Sequence, residues 1–102
     1  MNYSNTYIEF GGDTMFKHKA KDGSRNLCGK KVMALRMAME PKVSQRKLAE
    51  IIQLHGVDID KTAVRRIEIG ERYVTDIELK ILCEIFNVSA AFLLDMESGV
   101  TP

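Results

Sequence analysis

The stretch that decides the fold is residues 44–70, SQRKLAEIIQLHGVDIDKTAVRRIEIG. Its apolar residues recur at helical spacing in two short runs, and a polar turn that contains Gly56 separates them. Ser44 and Asp60 precede the runs, and each offers a side-chain oxygen that can cap a helix. Gly56 and Gly70 follow the runs, where helices commonly end in the left-handed conformation. The stretch therefore predicts two helices joined by a turn.

The second of these helices is predicted to have two different faces. The inner face is formed by Ala63, Val64 and Ile67, and the outer face by Lys61, Thr62, Arg65 and Arg66. Arg and Lys can donate to guanine O6 and N7, and Thr can contact a base edge or a thymine methyl group. The pattern favours a helix that enters the major groove of DNA. An amphipathic helix with a hydrated basic face has the same pattern.

Upstream of this stretch, the sequence predicts a first helix from about Cys28 to Met39. Pro41 ends it, because the residue before a proline avoids the α region. Residues 1–26 sustain no helical period and are predicted to form an irregular, flexible N-terminal tail. The predicted domain therefore spans residues 27–96.

The start of the chain carries a separate hypothesis. Gly11-Gly12-Asp13-Thr14 can be encoded by a run that resembles a bacterial ribosome-binding site, and Met15 follows it directly. We hypothesise that Met15 is the natural start and that residues 1–14 are added sequence or a misplaced gene start. The nucleotide sequence decides this, since codons unlike GGAGG at Gly11-Gly12 remove the idea.

Downstream, Thr75 is predicted to cap a fourth helix, with Glu78 completing a capping box. Its predicted buried face consists of Ile77, Ile81, Leu82, Ile85 and Phe86. Ser89 caps a short fifth helix, and residues 97–102 form a C-terminal tail. With no stretch that alternates cleanly with period two, the expected fold class is all-α with five helices.

Composition and motifs exclude several functional classes. The chain has 102 residues, which suits one domain, and its two cysteines do not form a disulfide framework. We expect reduced thiols and a cytoplasmic protein, because no signal peptide or membrane-spanning run is present. We find no phosphate loop, metal motif or nucleophile motif, so an enzyme, a metal site, a cofactor and a small-molecule ligand are not expected. Residues 1–47 carry ten Lys and Arg against four Asp and Glu, a net of +6 that could face phosphates or form an ordinary solvated surface.

The order of several short motifs resembles the XRE/Cro-type, lambda-repressor-like helix-turn-helix family. The matching motifs are Arg36, Ser44-Gln45, Leu48-Ala49, Ile67-Glu68-Ile69-Gly70, Phe86-Asn87-Val88-Ser89 and Leu93-Leu94. The resemblance covers about Gly29 to Leu94. It departs from the common pattern in a longer link between Arg36 and Gln45 and in a longer turn before Lys61.

This resemblance implies roles for individual residues. Gln45 matches the position that binds a DNA phosphate, and Arg36 and Glu68 match a partly buried salt bridge. The other implied DNA contacts are the base-reading Lys61, Thr62 and Arg65, then Arg66 to a base or phosphate, and Arg72 and Tyr73 to the backbone. For Arg72 and Tyr73, ordinary exposure on a loop is an equal alternative.

The resulting functional expectation is a sequence-specific regulator of transcription, a repressor, that binds double-stranded DNA. A homodimer is expected, because one short helix reads few bases. Its predicted interface contains Phe92, Leu93 and Met96, although Phe92 and Leu93 could instead complete the core. The alternative function is a protein-interaction module of the same fold, such as an antitoxin or an adaptor.

Overall fold

The structure, a computed structural model, describes residues 19–96 and folds them into five α-helices. They are α1 (Gly29–Met37), α2 (Gln45–Leu54), α3 (Lys61–Glu68), α4 (Asp76–Phe86) and α5 (Ala90–Leu93). This part of the chain contains no strand, so the predicted all-α, five-helix fold class is confirmed. None of these helices is long and apolar enough to cross a membrane. The hypotheses on the start at Met15 and on the C-terminal tail concern residues outside the described range.

Local capping fixes where four of the helices begin. The Ser44 hydroxyl accepts from the Lys47 N–H, and the Asp60 carboxylate accepts from the Ala63 N–H at 2.8 Å. Thr75 and Glu78 form the full reciprocal capping box, and the Ser89 hydroxyl accepts from the N–H of the third helical residue. All four caps are the ones that the sequence predicts, because each depends only on residues three positions apart.

The core lies where α1, α2 and α3 meet, and α4 and α5 close it. α3 packs against both α1 and α2, α4 packs against α1 and α2, and α5 packs against α4. The largest fully buried residues are Cys28, Val32, Leu48, Ile52, Val64, Ile67, Leu82 and Leu93. The inner face of α3 is thereby held against two other helices, and its opposite face is left outside.

The cysteines are free thiols. Cys28 is buried in the core, and burial raises its pKa to about 11. Cys83 is half-buried in α4, where burial also raises the pKa of its thiol. Both groups are therefore thiols and not thiolates at neutral pH.

Two predictions about helix faces and ends are wrong. α1 ends at Met37 instead of Met39, because its last turn tightens and the Met39 N–H bonds to the Arg36 carbonyl three residues back. Ile77 is 64 % exposed and does not belong to the buried face of α4. The buried position in that first turn belongs to Glu78, whose carboxylate turns inward to an arginine.

The long turn between α2 and α3 is an ordered structure. Gly56 has a positive φ of 96°, which lets the chain leave α2 and reverse direction. Ile59 is buried and Val57 is half-buried in this turn. The Gln53 amide donates to the Ile59 carbonyl at 2.7 Å. These contacts fix the angle at which α3 follows α2.

The segment before α1 is attached to the end of α3. The Arg25 N–H donates to the Gly70 carbonyl at 2.8 Å, and the Asn26 amide donates to the Ile67 carbonyl at 3.0 Å. The Asn26 side-chain oxygen accepts from the Gly29 N–H at 2.7 Å. These bonds join residues 24–26 to the helical domain, which the sequence-based boundary at residue 27 left out of it.

The close approach of α1 to α3 generates a stability prediction. A Cβ at Gly29 would collide with the Ile67 carbonyl oxygen. We expect Gly29→Ala to lower the free energy of unfolding by about 1–3 kcal/mol, although Ala is normally the better helix former. Urea unfolding measures this, with Lys30→Ala on the exposed neighbour as the control, expected within about 0.5 kcal/mol of wild type. A Gly29→Ala variant as stable as wild type would contradict the tight packing.

Candidate nucleic-acid interface

The outer face of α3 carries four exposed polar side chains, namely Lys61, Thr62, Arg65 and Arg66. Within the described residues, none of these side chains makes a hydrogen bond or an ion pair. On a helix with about 100° between residues, Arg65 and Thr62 lie at the centre of the outer arc. Val64 and Ile67 anchor the opposite side in the core. The outer face of α3 therefore presents unpaired donors, and the packing of Val64 and Ile67 fixes the orientation of the helix.

A buried ion pair sets the position of α3. The Arg36 Nε atom lies 2.6 Å from one Glu68 carboxylate oxygen, and its Nη2 atom lies 3.0 Å from the other. The Glu68 side chain is 0 % exposed and that of Arg36 is 11 % exposed. The pair lies between α1 and the last residue of α3.

Two further groups complete the partners of this pair. Arg36 Nη1 donates to the Val43 carbonyl at 2.9 Å, and the Gln45 Nε2 atom donates to Glu68 Oε1 at 2.9 Å. In the described part of the chain, no buried side-chain nitrogen or oxygen lacks a partner. Complete hydrogen bonding is what makes a buried charge tolerable. The four residues together join α1, the α1–α2 link, the start of α2 and the end of α3.

The first turn of α2 is suited to an anion. The Ser44 hydroxyl takes only the Lys47 N–H, so the backbone N–H groups of Gln45 and Arg46 have no backbone partner among the described residues. Free N–H groups and the helix dipole at such a turn favour a phosphate. The Gln45 amide has two hydrogens, and its contact with Glu68 occupies one of them.

The matched family agrees with this geometry. A family model described as Helix-turn-helix matches residues 32–93, which is more than half of the chain. The chain belongs to this XRE/lambda-repressor-like helix-turn-helix family. The family is one of DNA-binding domains. Neither a curated protein nor a solved structure matches the chain.

Within this helix-turn-helix domain, Arg72 has an internal role. Its two terminal nitrogens lie 2.8 and 3.0 Å from the two carboxylate oxygens of Glu78, and Nη1 also donates to the Tyr73 carbonyl. Glu78 Oε1 also accepts from the Thr75 N–H. Arg72 therefore holds the loop between α3 and α4 in place, whereas the family resemblance implied a contact with the DNA backbone and the alternative was ordinary exposure on the loop. Tyr73 is 39 % exposed and stays available on this loop.

The predicted dimer residues occupy three different environments. Met96 is 71 % exposed, Phe92 is half-buried, and Leu93 is 0 % exposed. The Lys31 ammonium covers the Phe92 ring at 5.0 Å and bonds to the Phe92 carbonyl and to Asp95. Leu93 completes the core and has no surface to offer a partner, because its side chain is fully enclosed.

Sequence reasoning missed the residues that attach the segment before α1. Asn26 bonds to the carbonyls of Ile67 and Arg72, and Arg25 bonds to the carbonyl of Glu71. These contacts join residues more than 40 positions apart, so no local pattern announces them. The one available indication was an Asn just before a helix, the residue type that captures free N–H groups.

The buried ion pair generates the second prediction. Glu68→Ala leaves the Arg36 charge without its partner, and we expect it to lower the free energy of unfolding by about 3–5 kcal/mol. Glu50→Ala is the matched control, because Glu50 is exposed and lies 3.8 Å from Lys47, with an expected loss of about 1 kcal/mol or less. Thermal or urea unfolding compares the two. An equal, small effect of both substitutions would contradict the role of the pair.

The loop ion pair generates a prediction for pH. Hydrogen bonds from Arg72 hold the pKa of Glu78 below its ordinary value, against the opposing effect of burial. The ionised carboxylate therefore stabilises the fold above the unfolded-state pKa of about 4.3, and this stabilisation is lost as pH falls through the lower folded-state pKa.

Glu78→Gln should keep the cap and lose the charge, since Gln also completes a capping box. We expect it to lower the free energy of unfolding at neutral pH by about 1–3 kcal/mol. The difference between variant and wild type should shrink as pH falls below the unfolded-state pKa and through the lowered folded-state pKa of Glu78. Glu84→Gln, on the exposed pair with Lys80, is the control. A difference that does not change with pH would contradict the assignment.

Proposed function

We propose that this helix-turn-helix domain is a sequence-specific regulator of transcription that binds double-stranded DNA with α3 in the major groove. The observation that carries the proposal is the outer face of α3, on which four donors stand exposed and unpaired while the inner face is locked in the core. Groove recognition needs donors that are not already satisfied within the protein. Repression follows from occupancy, since a protein seated on a promoter excludes another protein from it.

The base contacts belong to Thr62 and Arg65, with Lys61 and Arg66 at the two ends of the face. Arg65 has the length and the forked donors to bind guanine O6 and N7 together. Lys61 follows the Asp60 cap directly, and this carboxylate is taken up by the Ala63 N–H. Lys61 therefore lies at the helix end that enters the groove first in such domains.

The backbone contacts belong to the start of α2 and to the loop after α3. The free N–H groups of Gln45 and Arg46 and the second hydrogen of the Gln45 amide suit one phosphate. Tyr73 can donate its hydroxyl to a second phosphate. Arg72 supports this loop from within, because both of its terminal nitrogens are bound to Glu78.

A homodimer on a two-fold-related site completes the proposal. A single α3 reads few base pairs, and pairing two copies doubles the contact. Met96, three residues after the end of α5, and the exposed part of Phe92 are the apolar groups that a second copy would cover. Leu93 supports this end from the core.

A selection from a random duplex library tests the DNA-reading role. Wild type should enrich a defined site with salt-sensitive affinity, and Arg65→Ala should relax its sequence at one position, with a loss of about 1–3 kcal/mol on the selected duplex. Lys80→Ala is the matched control, because it removes the same charge from α4. Failure of wild type to bind any duplex would overturn the proposal and favour the protein-interaction role.

A further inference from the structure

A basic cleft lies at the C-terminal end of α3, next to the outer face assigned above, and shares Arg66 with that face. Its lining residues are Lys19, Gly23, Arg25, Arg66, Gly70 and Glu71. We call it the α3 basic cleft. It contains three cationic side chains and one carboxylate, and all four are exposed.

The cleft is built by the turn that precedes α1. The Arg25 N–H donates to the Gly70 carbonyl at 2.8 Å, and Ser24 packs so closely on Gly70 that a Cβ there would lie 2.7 Å from the Ser24 Cβ. Gly70 also has a positive φ of 81°, so only glycine suits both demands. The turn is thus held in contact with the end of α3, and Arg25 is brought beside Arg66.

The cations of the cleft have unused donors. Arg25 bonds through Nη1 to the Glu71 carbonyl at 3.2 Å, and its guanidinium lies 5.9 Å from the centre of the Tyr73 ring. Its other N–H groups, and the side chains of Lys19 and Arg66, have no hydrogen-bond or ion-pair partner among the described residues. Three cations and the Glu71 carboxylate leave the cleft with an excess of positive charge, and a bound anion would offset this excess.

We propose that the α3 basic cleft binds a phosphate of the DNA backbone at the edge of the groove that α3 reads. Arg66 belongs to both surfaces, because it lines the cleft and lies one helical turn after Thr62 on the outer face. A helix seated in the major groove has the phosphate backbone beside its ends. The proposal rests on the DNA-binding role proposed above and adds a contact made by residues outside the two helices of the motif.

The test compares variants on two duplexes, the selected site and a scrambled duplex of the same length. Arg25→Gln should weaken binding to both by the same factor, about three- to tenfold, and should reduce the slope of log affinity against log salt by about 0.9. Arg25→Lys should keep most of the affinity. Glu71→Gln, which removes the carboxylate of the cleft, should strengthen binding to both duplexes. Lys80→Gln makes the same charge change outside the cleft and should leave the slope unchanged.

Different outcomes separate this proposal from the one it rests on. If Arg25→Gln and Glu71→Gln both bind as wild type while Arg65→Ala loses the selected site, the cleft proposal is overturned and the DNA-reading role stands. If wild type binds no duplex, both are overturned. A third outcome assigns the cleft to a small anion instead. In that case the variants bind DNA as wild type does, and inorganic phosphate raises the melting temperature of wild type but not that of Arg25→Gln at equal ionic strength. Unchanged melting temperatures show that the variants are folded.

Discussion

Glu68 ends α3 with its carboxylate inside the protein, and Arg36 reaches it from α1 with two hydrogen bonds. The same carboxylate holds the Gln45 amide, and the same guanidinium holds the Val43 carbonyl. Two opposite charges therefore connect α1, the α1–α2 link, the start of α2 and the end of α3. The desolvation of these charges costs several kcal/mol per ion, so the arrangement is tolerable only when all partners are present. We infer that this network fixes where α3 points.

The distribution of charge follows from the same arrangement. Both buried carboxylates are neutralised from within, Glu68 by Arg36 and Glu78 by Arg72. The arginines of α3 receive no such partner in the described part of the chain and remain exposed. Gln45 links the buried ion pair to the surface, since it bonds to Glu68 and lies in the first turn of α2 beside free N–H groups. A phosphate bound there would therefore be in register with α3.

The sequence predicts the parts of this structure that depend on near neighbours. The caps at Ser44, Asp60 and Thr75 and the inner face of α3 follow from spacings of three or four residues. Contacts between distant segments were not predictable. Apolar periodicity placed Ile77 inside, whereas the structure puts Glu78 there because Arg72 comes to meet it. The turn before α1 likewise had no helical period to show that it is bonded to the end of α3.

The candidate site divides in the same way. The positions of Arg65 and its neighbours on α3 follow from the helical period. The ion pair of Arg72 with Glu78 and the burial of Leu93 could be seen only in the folded structure.

The most direct test of the central claim is amide NMR of the labelled chain titrated with its selected duplex. The account predicts the largest shift changes along α3, at 61–66, and at Gln45 and Arg46. Changes confined to other surfaces, with α3 and the start of α2 unaffected, would contradict it.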